Sequence, residues 1–413
     1  MEDRLTSGTI EDVARTARPR LVAFLAAPDG DLAAAEDAVS DAIERALVTW
    51  PRDGIPDRPE AWLFSVARNR RRDSWRASGR LGPIPEDYPE PGDPAVDDSA
   101  VGIPDQRLAL LAVAAHPAIH PAARTPLMLN TVLNLTAERI GAVMLVPKAT
   151  MAARLTRAKK QIRQSDIPFE VPGVDELPDR LAAIREAIYA AYSVEWEFSA
   201  AEPRSGLAGE AVFLAELLTE LVPGDPESHG LAALLCLSAC RSGARRDERG
   251  DLVPLAAQDT SRWDDTLLER GREHLRLAGA TEPPGPYRLQ AAVQAVHCAR
   301  RETGVTDWDS VRRLLAGLRR LAPTVGGTVA LAIATAECEG PDAGLGVLDE
   351  IGPRAEWFQP ALAARARLLA DSGRRGSALD AYDRALILTT EPAERRYLER
   401  ARDAARCPSP PLS

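Results

Sequence analysis

The sequence predicts an all-α protein of several helical domains, and three observations predict it. Ala, Leu and Arg dominate and β-branched residues are sparse, a mix that favours helix over sheet. Apolar residues recur at three- and four-residue intervals in segment after segment. At 413 residues, 45% hydrophobic and 27% charged, the chain has ordinary globular composition and exceeds one ordinary domain. Breaks in composition set the boundaries: a helical domain over 8–76, a linker over 77–105, a basic block over 106–166, and a long helical extension over 179–405. The linker holds six prolines and four glycines among many acids, so it has no core of its own.

Several function classes drop out. The N-terminal MEDRLTSGTIEDVAR is polar with mixed charge and lacks the apolar core of a secretion signal. The best apolar runs, Leu108–Ala115 and Leu231–Cys240, fall well short of a membrane span, so a cytoplasmic location without membrane contact is expected. Cys236, Cys240, Cys298, Cys338 and Cys407 are odd in number and form no CxxC, which predicts reduced thiols. Cys236 and Cys240 with His229 or His297 are the one arrangement resembling metal ligands, but small residues filling a helix core explain them better. His116 and His120 each precede a proline, which makes them turn residues rather than ligands. Gln258, Asp259, Trp263 and Asp264 invite a binding site, with helix capping and one packed Trp as the better account. No catalytic constellation appears, and no enzyme activity, metal or cofactor is expected.

Charge is distributed unevenly. The whole chain carries −10, yet residues 106–166 hold nine basic and two acidic residues, a net +7. Residues 81–105 hold seven acids and no base. A small basic block inside an acidic chain is the electrostatic footprint of a nucleic-acid-binding module.

In the N-terminal domain, LAAAEDAVSDAIERALVTW places Leu32, Ala35, Val39, Ile43, Ala46 and Trp50 on one helical stripe. The other face carries Glu36, Asp37, Ser40, Asp41 and Glu44. After a loop over 51–59, EAWLFSVARNRRRDSWR turns Trp62, Leu63, Val66 and Ala67 inward, opposite Arg68, Asn69, Arg71, Arg72 and Arg76. The basic block reads LTAERIGAVMLVPKATMAARLTRAKKQI. Thr136 is an N-cap for a first short helix, Ala137–Val143, and Pro147 suits the start of a second. Met151, Leu155, Ala158 and Ile162 form the buried stripe of that second helix. Ala149, Ala153, Thr156, Arg157, Lys160 and Arg163 project opposite, with Arg154 and Lys159 on the flanks. This is a helix-turn-helix, whose second helix enters the DNA major groove.

The segments AEDAVSDAIERAL and RPEAWLFSVARNRRRDSWR resemble region 2 of sigma factors. The basic block resembles region 4 through TxxEIxxxxxxPxxTVxxRLxRA, on which Thr136, Ile140, Pro147, Thr150, Met151, Arg154, Leu155, Arg157 and Ala158 fall. With the long extension, the chain resembles extracytoplasmic-function RNA polymerase sigma factors of the sigma-70 family that carry a tetratricopeptide-like C-terminal domain. The resemblance implies a transcription-initiation role, with core RNA polymerase bound through its β′ clamp coiled coil and β flap, and with promoter DNA as the second partner. It places Glu36, Asp37, Asp41 and Glu44 on polymerase. It places the loop Arg52–Arg58 with Trp62, Arg68, Asn69 and Arg72 on the −10 strand, where a base is flipped. Lys148, Thr150, Ala153, Arg154, Thr156, Arg157, Lys160 and Arg163 fall at the −35 element. Alanine cannot hydrogen-bond a base edge, so direct readout is assigned to Lys148, Thr150 and Thr156, and the arginines with Lys160 to phosphates.

Three positions and one segment depart from the pattern. Ser40 replaces a customary Gln, Arg139 replaces an acid and loses the capping box, Leu145 stands where such turns use Gly, and Tyr192–Ser199 differs from the group's first extension helices. In the extension, Gly373, Ala378, Tyr382 and Ala385 have tetratricopeptide spacing, which predicts a helical solenoid; the resemblance implies that this domain regulates the factor, with a regulatory protein as a candidate partner. A helical-repeat adaptor and a classical helix-turn-helix regulator are the competing readings.

Overall fold

The computed structural model describes residues 13, 17–19, 21–26, 30–77, 106–144, 146–164, 176–198, 206–279 and 283–406. Their regular structure is helical, joined by turns and loops; the β feature among them is an isolated antiparallel bridge between Arg246 and Leu252. The all-α expectation is borne out. The linker 78–105 and Leu145 lie outside the described residues. The chain forms two compact units, Met1–Val194 with Glu220–Val222, and Glu195–Thr219 with Pro223–Ser413.

In the first unit, α1 (Leu32–Asp53) starts at Asp31, whose Oδ1 accepts the Ala34 N–H at 3.2 Å. It buries Leu32, Ala35, Ala38, Val39, Ala42, Ala46 and Trp50 against α2 (Pro59–Ala77), which contributes Leu63, Phe64 and Ala67. Trp50 and Trp62 meet edge to face with centroids 5.5 Å apart. Further on come α3 (Gln106–Ala114) and α4 (Pro121–Thr131), the latter capped by His120, whose Nδ1 accepts the Ala122 N–H at 3.2 Å. His116 caps its own turn in the same way, toward Ala118 at 3.1 Å.

Next, α5 (Ala137–Val143) and α6 (Lys148–Gln164) form the helix-turn-helix. The Thr136 hydroxyl accepts the Arg139 N–H at 3.3 Å, and Met151, Leu155, Ala158 and Ile162 are buried. The corner depends on Gly141: a Cβ there would lie 2.5 Å from the Val146 carbonyl oxygen, and backbone yields little. Gly141→Ala should therefore destabilise this hairpin by about 1–3 kcal/mol. Faster amide exchange confined to α5 and α6 would check it; unchanged protection there would refute it. The helix α7 (Pro178–Phe198), which the sequence places at the head of the extension, lies mostly in the first unit. There buried Arg180 donates to the Ala112 carbonyl at 3.0 Å.

The second unit runs through α8 (Leu207–Leu221), α9 (Pro226–Ala239), α10 (Asp265–Leu277), α11 (Pro286–Thr303), α12 (Trp308–Leu321), α13 (Val325–Glu339), α14 (Pro341–Asp349), α15 (Gln359–Asp371), α16 (Arg375–Leu388) and α17 (Pro392–Arg406). From α9 onward each helix packs on the next, and α9 packs most extensively on α11, one helix further along. The α15–α16 hairpin turns at Gly373, whose φ of +77° favours glycine, and buries Ala378, Tyr382 and Ala385 at its seam. Cys236, Cys240 and Cys298 are buried core residues, and Trp263 packs beside the last two. Asp259 and Asp264 cap their helices, accepting the N–H of Ser261 at 2.9 Å and of Leu267 at 3.1 Å.

Candidate nucleic-acid interface

A cleft of about 660 Å³ opens along α1 and α2, lined by Asp41, Arg45, Thr49, Trp62, Asn69 and Arg70 among others. It combines an indole, two guanidinium groups and a carboxamide, the groups that stack on a base, neutralise phosphate and hydrogen-bond a base edge. Arg70 pairs with Asp41 at 2.5 Å across the cleft, and both side chains are well exposed. Arg68 lies over the Phe64 ring, 5.6 Å from its centroid, while Asn69 is exposed and Arg72 half-buried. Arg52 is exposed in the last turn of α1, inside the helix rather than on the expected loop, and Arg58 is exposed on the α1–α2 loop.

The second surface is α6. Lys148, Thr150, Ala153, Thr156, Arg157, Lys160 and Arg163 are all exposed on the faces away from the buried stripe. Their engagements differ. Lys148 pairs with Glu138 at 2.6 Å, and the hydrogen bond and charge of its ammonium hold that carboxyl below its ordinary value. Both partners are largely exposed, so the pair contributes little to stability. Half-buried Arg154 donates to the Ala122 carbonyl at 3.2 Å, which ties α6 to α4. Among the described residues, Thr156 and Arg157 bond only to carbonyls of their own helix.

The two surfaces are joined, which the sequence did not suggest. Lys159 Nζ meets Glu36 Oε2 at 2.5 Å, with side chains only 16% and 12% exposed. One turn along, Arg163 donates to Asp31 Oδ2 at 3.3 Å. Burial alone would raise the Asp31 carboxyl, but the Ala34 N–H, the Arg163 hydrogen bond and the charges of Arg71 and Arg163 together lower it. On the same acidic face, Ser40 accepts from Arg18 at 3.1 Å, whereas Asp37 and Glu44 are exposed. Of the four acids assigned to polymerase, Glu36 and Asp41 are thus engaged inside the unit. Lys159, Asp31, Arg45 and Arg70 are site residues that sequence reasoning did not assign.

Residues 13–81 match sigma-70 region 2, the segment that builds α1, α2 and the cleft. An uncharacterised protein of Rhizobium meliloti (strain 1021) is 34% identical over 405 residues, 95% of each chain. The chain belongs to the sigma-70 family. Its role is accordingly that of a sigma factor in transcription initiation, with core RNA polymerase and promoter DNA as partners, and the family is one of transcription factors rather than enzymes. Residues 180–279 match a family of unknown function (DUF6596), so the sigma-70 family protein continues through α7–α10 into a second family's territory. No solved structure matches the chain. Among the described residues, no helix is long and apolar enough to cross a membrane.

Proposed function

We propose that the chain is an extracytoplasmic-function sigma factor in which region 2 opens the −10 element and the α5–α6 hairpin serves as region 4 at the −35 element. The observation that carries the second assignment is the exposed face of α6. Thr150, Ala153, Thr156, Arg157 and Lys160 stand together opposite a fully buried stripe, on a helix that follows a capped turn. Arg157 and Lys160 neutralise phosphates, while Lys148, Thr150 and Thr156 reach base edges. In region 2 the cleft beside Trp62 receives the flipped −10 base, with Arg68, Asn69 and Arg72 along the strand. Asp37 and Glu44 meet the polymerase clamp first. Glu36 follows once Lys159 releases it, so polymerase binding and opening of the α1–α6 contact are coupled. The extension is a helical-repeat domain that regulates the factor.

Transcription with core RNA polymerase on genomic DNA fragments, followed by mapping of transcript 5′ ends, tests this reading. Starts that share two upstream boxes and are absent with core alone are the expected result. Replacing Arg157 and Lys160 with Ala should weaken use of the −35 box while polymerase binding persists. A chain that binds operator duplex as a dimer without polymerase would instead be a classical regulator, and the proposal would fall.

A further inference from the structure

The second unit contains a cavity of about 350 Å³ that the transcription role does not use. It lies where the segment 245–258 meets α15 and α17, with Leu252, Leu255 and Leu398 providing much of its apolar wall. The segment over it is held in place. Asp251 binds Arg396 at 2.5 Å and also Arg400, Arg246 reaches Glu391 at 3.2 Å, and Arg300 donates to the Gln258 carbonyl at 2.7 Å. The size suits a small ligand, and the fixed walls make it a preformed site.

Two buried polar groups at the cavity are out of balance. Gln258 is 9% exposed; its Nε2 donates to the Val253 carbonyl at 3.3 Å, but its Oε1 has no hydrogen-bond partner. Arg241 is 8% exposed and donates to the Leu237 carbonyl at 3.3 Å and to the Gln294 side chain, both neutral acceptors. Among the described residues no carboxylate forms an ion pair with it. A buried guanidinium without an anion and a buried amide oxygen without a donor are each costly to keep, and native interiors rarely keep them. Burial first, and then the charges of Arg241 and Arg300, push the nearby His297 imidazole down to about 4.

One ligand chemistry answers all three features. An anion satisfies Arg241, an N–H donor satisfies Gln258 Oε1 after a small turn of its amide, and hydrocarbon fills the leucine wall. We propose that this cavity binds a small apolar amino-acid-like carboxylate, with its acid group on Arg241, its N–H on Gln258 and its side chain against Leu252, Leu255 and Leu398. Inorganic anions lack the hydrocarbon, and neutral lipids lack the acid. The site joins the segment matched to the family of unknown function with the terminal helices α15 and α17, so its occupancy would brace the second unit.

Calorimetric titration of the full chain with N-acetyl-L-leucine tests the site, with N-acetyl-L-leucinamide as the control that lacks only the acid. The expected result is saturable one-site binding of the acid and at least about tenfold weaker binding of the amide. Leu255→Trp, which fills the cavity from a half-buried position, should abolish the heat while leaving amide protection in α15 and α17 close to that of the native chain. Gln258→Leu should weaken the acid and keep the preference for acid over amide. No saturable binding of the acid at millimolar concentration would overturn the proposal. Equal affinity for acid and amide, or binding that survives in a folded Leu255→Trp, would overturn it too. The transcription reading is untouched by any of these outcomes, because it rests on the first unit.

Discussion

Lys159→Glu is expected to destabilise the α1–α6 contact by on the order of 3–5 kcal/mol, because it leaves two carboxylates facing each other where an ion pair stood. The pair is mostly shielded, and Glu36 already has one oxygen, Oε1, with no hydrogen-bond partner, so Lys159 is its ion-pair partner, with the Arg18 charge adding to the field. A global melt is the wrong measurement for a chain of two units, since a single transition is not assured. Amide exchange in α1 and α6 reads the contact locally. A double-mutant cycle on Lys159→Met and Glu36→Gln should return a coupling of about 1–3 kcal/mol; additive effects would mean the two side chains do not interact. The functional arm uses Lys159→Met, which keeps Glu36 and frees it. If opening is part of polymerase capture, this variant binds core polymerase more tightly than the native chain, since the competent state no longer competes with the closed one.

Acid should loosen the same contact through Asp31. Its carboxyl is held below the ordinary value in the folded chain, so the open state binds protons more readily. The stabilisation is therefore complete at neutral pH, begins to fall as pH drops into the ordinary carboxylate range, and is lost below the depressed folded value. Asp31→Asn should flatten this acid limb of α1 exchange.

The helix-turn-helix was legible because its determinants are local. Thr136 caps three residues away, Pro147 starts the second helix, and Met151, Leu155, Ala158 and Ile162 repeat at helical spacing. The same holds for α1, where Leu32, Ala35, Val39, Ala46 and Trp50 lie on the buried face that periodicity predicts. What could not be read are pairings across the chain. Lys159 and Glu36 are 123 residues apart, and each alone looks like a solvated charge on an amphipathic helix. At the corner the close approach is made by Gly141, against the Val146 carbonyl five residues on, a backbone geometry that residue spacing alone does not reveal; Leu145 lies outside the described residues. Gln258 shows the limit differently. Its sequence neighbours Asp259 and Asp264 do cap, and Trp263 does pack; only the fold shows that Gln258 faces α15 and α17 across a cavity.

Trp50→Ala should disable region 2 while sparing α6. Trp50 is 2% exposed at the C-terminal end of α1 and meets Trp62 edge to face. Truncating a buried Trp to Ala typically costs about 3–5 kcal/mol. The aromatic pair accounts for roughly 0.5–1.5 kcal/mol beyond burial, so Trp50→Phe should retain a substantial share. The consequence goes further than stability, because Trp62 also lines the cleft assigned to the −10 base. Without Trp50 behind it, the indole loses its backing and its fixed orientation, and a stacking surface works only when it is held in place. Promoter opening, read by permanganate reactivity of −10 thymines in the polymerase complex, should then fail in Trp50→Ala and survive at reduced level in Trp50→Phe. Protection of α6 amides should match the native chain in both variants. Full −10 reactivity in Trp50→Ala would show that the cleft does not depend on this pair, and would remove Trp62 from the strand-opening surface.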